Sequence, residues 1–505
     1  MGRLFCAPNM KPTISEFKKY AETANLVPVY AELLADMDTP LSAFAKVRDR
    51  RDSFLLESAE NVEKFGRYSF IGLEPSAVFS AKGGSGRLEF ADGAKTVSAP
   101  GEPPLKPLRD YLATVRPARL EGLPAFFGGA VGFLSYEAAR LFERLPEPKT
   151  ETAWEDARFG IYDDLMIFDN VRHTVKILTC VHTEAFASPD EAYEAGAARV
   201  RELVGMYRAR LPEIPVHKNA EPVRLRSNMQ RDEFVAMVRK GKEYIRDGEV
   251  IQMVLSQKFV SDTEVDPLAA YRALRYINPS PYMFCFKCDG KYLVGSSPET
   301  LVRLEGSGVR VSPIAGTRPR GNTEMRDMEL ADELLSDEKE RAEHLMLVDL
   351  GRNDISRFCE PGSVQVESFM EVQRYSHVMH LVSRIRGETK KGADAFDAIA
   401  ATFPAGTLSG APKVRAMELI NRLEPEARGA YGGAVGYIGY GGDMDLAITI
   451  RTLQIENGRL CVQAGAGIVY DSDPETEYEE TRSKAGAVAR AIAAAANLEL
   501  QTDEI

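Results

Sequence analysis

Apolar and polar positions along this chain follow two different periods. Stretches in which apolar residues recur every three or four positions predict helices, and short apolar or alternating runs predict strands. Predicted helices cover residues 13–24, 230–247, 327–347, 393–403 and 412–423, and a last one begins after Pro474. Predicted strands cover residues 250–260, 282–287, 291–295, 300–312, 431–440, 445–455 and 460–470.

Helices and strands do not alternate strictly, which favours an α+β fold with largely antiparallel sheets over a doubly wound fold. A chain of 505 residues is expected to form two lobes or one large composite domain. The proline-bearing stretch before residue 227 is typical of a linker. The predicted division is an N-terminal region (1–210), a linker (211–226), a second region (227–490) and a C-terminal helix end and tail (491–505).

One short string occurs twice, as GGAVG at 128–132 and again at 432–436, with aromatic residues on both sides. This short repeat, the GGAVG echo, predicts two strands that are related to each other and belong to two different sheets. The alternative is chance, because glycine is used wherever strands pack closely.

Composition excludes several classes of protein. Apolar residues make up 44% and charged residues 27%, as in soluble globular proteins. A net charge of −12 argues against a nucleic-acid partner, and no apolar run is long enough to span a membrane. We therefore expect a cytoplasmic protein. Six scattered cysteines predict reduced thiols, and Cys285 and Cys288 are expected to be structural.

Two predicted helices carry paired carboxylates. Glu340 and Glu343 share one face of the first, and Glu477 and Glu480 share one stripe of the helix that Asp473 is expected to cap. Converging carboxylates would suit Mg²⁺. The alternative is ordinary helix chemistry, with acidic residues in a first turn and a pair between Glu480 and Lys484.

Other polar residues are candidates for binding or proton transfer. Arg451 lies in a predicted apolar strand, where it needs either a substrate anion or a structural ion pair. AGAGIV and FPAGTLSGAPK are expected to be glycine-bearing loops that offer backbone N–H groups, although neither matches a phosphate loop. His377 and His380 are proton acceptors or core hydrogen-bonders. The chain has no cysteine elbow for glutamine hydrolysis.

Six strings in the second region resemble one family, the chorismate-utilising enzymes. They are GSSPETLV (295–302), PIAGTRPRG (313–321), ERAEHLMLVDLGRND (340–354), YSHVMHLVSRI (375–385), FPAGTLSGAPK (403–413) and GAGIVYDSDPETEYEETRSKA (465–485). The resemblance covers nearly all of residues 227–490. It implies two stacked, largely antiparallel sheets flanked by helices, with chorismate and Mg²⁺ in a cleft between them.

The resemblance also implies roles for individual residues. It makes Glu343 and Glu480 the Mg²⁺ ligands, with Glu340 and Glu477 holding metal-bound waters. Glu299 is implied to be the general acid at the C4 hydroxyl, and His380 the base that takes the C2 proton. Substrate contacts are implied for Gly316, Thr317, Thr407, Tyr431, Arg451, Gly465, Ala466, Gly467 and Lys484.

Two positions favour one reaction of the family. Gln252 stands where members that add water carry a lysine, and glutamine cannot act as that base, so ammonia is expected as the nucleophile. Ala315 stands where aminodeoxychorismate-forming members carry a lysine that attacks the ring. The expected products are anthranilate and pyruvate, in the first committed step of tryptophan biosynthesis. An aminodeoxychorismate-forming subunit and a non-catalytic tryptophan sensor remain alternatives.

The resemblance further implies two partners. Ammonia is expected from a glutamine amidotransferase subunit, and the family likeness implies that the two kinds of subunit form a heterotetramer. LLES (55–58) and NPSPYMF (278–284) resemble the strings of a tryptophan feedback pocket. That pocket is expected to contain Glu57, Ser58, Pro281, Tyr282 and Met283.

Overall fold

The computed structural model describes residues 9–58, 66–213, 224–375 and 378–495. Most of the predicted linker, Cys6, His377 and the end of the predicted tail lie outside the described residues. Among the described helices, none is both long and apolar enough to cross a membrane.

Helices and strands occur throughout the described chain. The helices are α1 (Ile14–Ala21), α2 (Pro40–Ala45), α3 (Lys106–Thr114), α4 (Pro189–Tyr207), α5 (Arg231–Arg246), α6 (Pro267–Ile277), α7 (Glu324–Ser336), α8 (Glu338–Ser356), α9 (Ala395–Thr402), α10 (Lys413–Leu423) and α11 (Pro474–Ala495). Short 3-10 turns cover Tyr136–Leu141, Thr183–Ala185 and Gly406–Leu408. The strands are β1 (Met10–Lys11), β2 (Leu26–Leu34), β3 (Phe54–Glu57), β4 (Tyr68–Gly72), β5 (Ala77–Lys82), β6 (Ser85–Phe90), β7 (Lys95–Val97), β8 (Gly129–Leu134), β9 (Ala157–Tyr162), β10 (Asp164–Asp169), β11 (Thr174–His182), β12 (Arg226–Ser227), β13 (Gln252–Ser261), β14 (Tyr282–Cys288), β15 (Lys291–Ser297), β16 (Thr300–Glu305), β17 (Gly308–Val311), β18 (Ile314–Pro319), β19 (Gln365–Arg374), β20 (Val378–Glu388), β21 (Gly410–Ala411), β22 (Ala434–Gly439), β23 (Met444–Ile448), β24 (Thr452–Glu456) and β25 (Arg459–Ile468).

The strands form two large antiparallel sheets, which confirms the expected fold class. The first sheet has the order β1-β2-β11-β10-β4-β3-β14-β15-β24-β25-β13-β12, with β21 beside β13. The second has the order β18-β20-β17-β16-β23-β22-β8-β9-β5-β6-β7, with β19 beside β20. Both sheets thus combine strands from before and after the predicted linker. The predicted division at 211–226 stays a prediction.

Two predicted elements are split in the structure. The helix predicted over 327–347 is two helices, α7 and α8, because Asp337 caps the second. Its carboxylate accepts from the backbone N–H groups of Lys339 and Glu340 at 3.0 and 3.1 Å. The strand predicted over 445–455 is also two strands, β23 and β24, and they belong to different sheets.

The GGAVG echo marks two neighbouring strands of one sheet, so its prediction of two sheets was wrong. β8 and β22 pair antiparallel, with Gly132 opposite Gly436. A Cβ atom on Gly132 would lie 1.9 Å from the carbonyl oxygen of Arg158, and one on Gly436 would lie 2.1 Å from that of Asp445. The repeated glycines therefore allow backbones to approach closely within the second sheet.

Aromatic side chains join the two sheets across their shared core. Phe54 of β3 packs edge-on against Tyr162 of β9 at 4.7 Å between ring centroids. Phe286 of β14 meets Phe133 of β8 in the same way at 6.3 Å. Helices α5 and α10 cover the far end of the first sheet, where Phe234 and Leu419 pack against Leu255 of β13. The sheets are therefore stacked on each other and flanked by helices.

Candidate active site

The chain crosses from one sheet to the other at two neighbouring places, and each crossing carries a predicted functional residue. β15 of the first sheet leads through Glu299 into β16 of the second, and β23 of the second leads through Arg451 into β24 of the first. The crossings are held together, since Ile448 N–H donates to the Glu299 carbonyl at 2.9 Å. The acid and the cation therefore meet at the seam between the sheets.

Glu299 is held in a form suited to donating a proton. The hydroxyl of Thr407 donates to its Oε2 at 2.9 Å. Burial raises the pKa of Glu299, while the Thr407 hydrogen bond and the charges of Arg451 and Lys484 oppose that rise. A carboxyl group with a raised pKa stays protonated to a higher pH, as a general acid must.

Arg451 carries a charge that no other residue in the described ranges pairs with. It has a left-handed backbone conformation, with φ of 49°, so the prediction that it lies inside a strand was wrong. Within the described residues its guanidinium makes no ion pair and no hydrogen bond. Burial lowers the pKa of Arg451, and Glu299 opposes that change. The alternative of a structural ion pair is therefore not found in the described part of the chain.

His380 of β20 is oriented through one ring nitrogen. Its Nδ1 lies 2.8 Å from the Gly316 carbonyl oxygen and 3.1 Å from the Thr317 hydroxyl. A proton on Nδ1 leaves Nε2 as the acceptor. Burial lowers the pKa of His380, and the positive charge of Arg451 lowers that pKa further. The hydrogen bond to the Gly316 carbonyl acts in the opposite direction and raises it. The imidazole is therefore neutral near pH 7 and able to accept a proton.

β25 is expected to form one wall of the predicted cleft. Gly465, Ala466 and Gly467 lie within this strand and not in a loop, so that prediction was wrong. They pair with β13, whereas β24 pairs with β25 only as far as Val462. A Cβ atom on Gly465 would lie 2.8 Å from the Tyr431 hydroxyl, and Lys484 Nζ donates to the Gly465 carbonyl at 3.0 Å. Glycine here leaves room between the strand and Tyr431.

The four predicted metal-site carboxylates lie on α8 and α11. Burial raises the pKa of Glu343, and the charges of Glu340 and Glu480 add to the rise. Burial raises the pKa of Glu477 as well, and Glu480 again adds to it. The two helices therefore bring like charges close together, which a bound cation would relieve.

The same carboxylates also make ordinary contacts. Glu480 pairs with Lys484 at 2.6 Å, as the alternative interpretation expected, and Glu340 lies 3.4 Å from Arg318. Within the described ranges no three His, Cys, Asp or Glu side chains form a compact ligand group. Mg²⁺ is often held by only one or two carboxylates and completes its shell with water and substrate oxygens. The donor set of Glu343 and Glu480 fits that kind of site.

The residues of the predicted feedback pocket lie on and next to two paired strands of the first sheet. β3 pairs with β14, which puts Glu57 opposite Met283. Burial raises the pKa of Glu57, while Arg275 and Tyr271 act to lower it. The Tyr271 hydroxyl donates to the Glu57 carboxylate at 2.5 Å, and the Arg275 guanidinium lies 3.3 Å from it. The Ser58 hydroxyl is buried without a hydrogen-bond partner in the described structure. A ligand at this place would meet the Glu57 carboxylate and a hydroxyl, that of Ser58, which has no partner among the described residues.

The other side of this pocket reaches the second sheet. Pro281 precedes β14, and the Tyr282 hydroxyl lies 2.8 Å from the Thr300 hydroxyl and donates to Asp445 at 2.9 Å. Thr300 follows Glu299 directly in the chain. The predicted pocket is thus one residue away from the predicted general acid.

Sequence reasoning missed a buried pair that supports the site. Arg428 and Glu424 form a two-bond ion pair at 2.9 and 2.7 Å beneath Tyr431. The only signal was the position of Arg428 three residues before Tyr431. Direct contacts link several of the predicted catalytic, substrate and metal residues. Thr407 binds Glu299, Lys484 binds both the Gly465 carbonyl and Glu480, and a Cβ atom on Gly467 would lie 3.8 Å from Glu343. The assignment of these residues to one site, and their individual roles, stay predictions.

Comparison with known proteins identifies the same family throughout. The family described as chorismate binding enzyme matches residues 51–490. Anthranilate synthase component 1 of Aquifex aeolicus is 44% identical over 488 residues, covering 96% of this chain and 98% of the relative. The crystal structure of anthranilate synthase component I from Streptococcus pneumoniae superimposes with a TM-score of 0.76 and 37% identity, covering 85% of this chain and 93% of that one.

The fold is shared more widely than the sequence. The menaquinone-specific isochorismate synthase of Escherichia coli superimposes with a TM-score of 0.71 at 19% identity, covering 93% of this chain and 95% of that one. At that identity the likeness concerns the fold alone. The chain belongs to the chorismate-binding enzyme family and, within it, to the anthranilate synthase component 1 enzymes.

Proposed function

We propose that this enzyme converts chorismate and ammonia to anthranilate and pyruvate in a Mg²⁺-dependent reaction that L-tryptophan inhibits. One observation carries the proposal. Arg451, whose charge has no ion-pair partner among the described residues, lies between an acid with a raised pKa, Glu299, and a base with a lowered pKa, His380. This arrangement suits an anionic substrate from which a hydroxyl group and a proton must both leave.

The two titrating groups divide the proton transfers. Glu299 gives a proton to the C4 hydroxyl as it leaves while ammonia adds at C2. His380 then takes the C2 proton through Nε2 as pyruvate is eliminated. Thr407 and the Gly316 carbonyl fix the orientations of these groups. Arg451, Tyr431, Lys484 and the β25 backbone bind the substrate carboxylates, and Thr317 lines the pocket.

Magnesium would be held by Glu343 and Glu480, and Glu340 and Glu477 would bind its waters. A bound Mg²⁺ would neutralise the ring carboxylate of chorismate and help to fix its position. Burial and, to a smaller extent, the charge of Glu480 raise the pKa values of Glu343 and Glu477, and a bound cation would offset both effects, which supports a cation at this place.

Ammonia as the nucleophile is supported by Gln252. Its Nε2 donates to Glu343 at 3.2 Å, and its buried Oε1 has no hydrogen-bond partner among the described residues. An amide oxygen accepts an N–H bond from ammonia but cannot remove a proton from water. In the cell, ammonia would come from a glutamine amidotransferase subunit in a heterotetramer.

Feedback by tryptophan is supported by the pocket around Glu57 and Ser58, with Pro281, Tyr282 and Met283 on its other side. The ammonium group of the inhibitor suits the Glu57 carboxylate, and the Ser58 hydroxyl is free to bond it. Because Tyr282 contacts Thr300 next to Glu299, occupation of the pocket changes the geometry of the acid.

The direct test is a turnover assay of the purified chain. Chorismate, Mg²⁺ and an ammonium salt at alkaline pH are expected to yield anthranilate, followed by fluorescence, and an equal amount of pyruvate. Tryptophan should suppress both products, and chelation of Mg²⁺ should stop the reaction. Aminodeoxychorismate or isochorismate as the product would overturn the interpretation of Ala315 and Gln252.

A further inference from the structure

Arg428 is buried almost completely, with 2% of its surface exposed, although its side chain carries a charge. It lies between α10 and β22, directly behind Tyr431. A buried charge is tolerated only when its hydrogen-bonding groups are paired. The hydrogen-bond partners of the Arg428 guanidinium therefore indicate its role in the structure.

The guanidinium group uses its planar shape to bind three groups at once. Nε and Nη2 donate to the two carboxylate oxygens of Glu424 at 2.9 and 2.7 Å. Nη1 donates to the Leu408 carbonyl at 2.6 Å, and Nη2 also donates to the Val254 carbonyl at 2.8 Å. A lysine ammonium is a point charge and cannot reproduce this set.

Each of the two carbonyls belongs to a different wall of the cleft. Leu408 follows Thr407 in the same 3-10 turn, and Thr407 donates to Glu299. Val254 pairs in register with Gly467 of the β25 wall. The guanidinium therefore links the turn that contacts the acid to the strand that faces the substrate.

A third wall is held by ring stacking. The guanidinium carbon of Arg428 lies 4.3 Å from the ring centroid of Tyr136 and 5.6 Å from that of Tyr431. Tyr431 is the side chain whose hydroxyl faces Gly465. Cation–π attraction thus fixes the plane of Tyr431 from the side opposite the cleft.

Neighbouring groups hold the pair itself in place. Glu424 also accepts from the backbone N–H and the hydroxyl of Ser256, at 2.8 and 2.7 Å. Glu137 accepts from the backbone N–H groups of Arg428 and Gly429 at 2.8 and 2.9 Å. The position of Arg428 is therefore determined by its main chain as well as by its side chain.

We infer that Arg428 is a positioning residue, which holds Thr407, Tyr431 and the β25 wall in the one arrangement that orients Glu299 towards the substrate. The inference rests on the proposed roles of these residues. No described hydrogen bond or ion pair joins Arg428 to Glu299, Arg451 or His380, so its effect is exerted through the groups that it holds.

Arg428→Lys tests the inference through the pH dependence of kcat/KM, measured at a constant concentration of free ammonia. Glu299 must be protonated to act, so activity is lost as the pH rises above its pKa. The Thr407 hydrogen bond lowers that pKa, whereas Arg451 and Lys484, which also face Glu299, are left unchanged by the substitution. Arg428→Lys is expected to reduce kcat/KM about 100-fold. It should also move the alkaline limb of the pH profile, where activity is lost, to higher pH.

A double variant separates positioning from general structural damage. Thr407→Val removes the hydrogen bond itself and should move the same limb upward. If Arg428 acts through Thr407, the double variant should show no larger shift than Thr407→Val alone. Tyr136→Phe is the matched control, because it keeps the ring beneath Arg428 and removes a hydroxyl without a partner in the described structure. It should leave the limb in place.

Three results would decide against the inference or against its basis. A folded Arg428→Lys variant with an unshifted limb, or shifts that add in the double variant, would make Arg428 purely structural. If Arg428→Lys does not fold, Glu424→Gln weakens the same two-bond pair and must give the upward shift instead. Absence of anthranilate formation by the unaltered enzyme would contradict the proposed function, which is a separate outcome.

Discussion

Two groups of charged side chains border the same cleft and differ in how fully their charges are paired. Behind Tyr431, Arg428 and Glu424 bind each other and further groups, including Ser256. At the seam of the sheets, Arg451 makes no ion pair in the described chain, and Glu343 is crowded by other carboxylates. The first group is a closed network, and the second is open.

The difference has a thermodynamic meaning. In a closed network, desolvation of the charges is offset by their hydrogen bonds, so the network stabilises one geometry and has no group left for a ligand. In an open group the unpaired charges destabilise the fold until a ligand of opposite charge binds. We therefore assign catalysis and binding to the open group, and support of the site to the closed one.

The largest expected effect follows from removing a carboxylate of the predicted metal site. Glu480→Ala should lower kcat by about 1000-fold, since a metal ion contributes several kcal/mol of charge stabilisation. The matched control is Glu479→Ala on the same helix, whose carboxylate pairs with Arg482. The assay is anthranilate formation against Mg²⁺ concentration. Equal activity of the two variants would remove Glu480 from the metal site.

A smaller effect is expected at the base. His380→Gln should lower the rate of anthranilate formation roughly 100-fold or more, because general bases contribute about that much. Addition of ammonia does not need His380, so an aminated product that retains the enolpyruvyl group should accumulate and be visible by mass spectrometry. In the unaltered enzyme, activity should fall at low pH only below the usual histidine pKa, since that of His380 is lowered. Loss of ammonia addition in the variant would contradict this division of roles.

Ser256, which contacts the closed network only through Glu424, should respond in stability more than in rate. Ser256→Ala removes one hydrogen bond to Glu424 and one from Gln463. The free energy of unfolding should fall by about 1 to 3 kcal/mol, measured by denaturant unfolding, while kcat changes only a few-fold. A large loss of kcat with unchanged stability would place Ser256 in the open group instead.

The smallest effect on turnover is expected at the feedback pocket. Ser58→Ala should leave turnover without tryptophan unchanged. It should raise the half-inhibitory tryptophan concentration about 3- to 10-fold, because the loss of one neutral hydrogen bond weakens binding by about that factor. Stability should not fall, because the Ser58 hydroxyl has no partner in the described structure. Unchanged inhibition would exclude Ser58 from the pocket.

Much of the architecture was readable from local patterns. Asp473 and Pro474 predicted the start of α11, and the Asp473 carboxylate does accept from Thr476 N–H at 2.9 Å. The paired carboxylates of α8 and α11 were equally visible, because helical spacing alone puts i and i+3 on one face. Such features depend on residues close together in the chain.

Features that depend on distant segments were not readable. Nothing local to AITIRTLQI shows that the chain changes sheets at Arg451, and nothing local to GGAVG shows that its two copies pair. The same holds for Arg428, whose partners Leu408 and Val254 lie far away in sequence. Their meaning comes from tertiary contacts that pattern reading does not contain.

One measurement compares the two groups most directly: thermal stability and chorismate binding of Arg451→Met beside Arg428→Met, with Mg²⁺ present and ammonia absent. Removing the unpaired charge should leave the Tm of the free protein unchanged or higher, while chorismate affinity falls about 100-fold. Removing the paired charge should lower the Tm, because Glu424 then remains buried without its partner. If Arg451→Met instead lowered the Tm as much as Arg428→Met and left chorismate binding intact, Arg451 would be a structural residue and the account would be wrong.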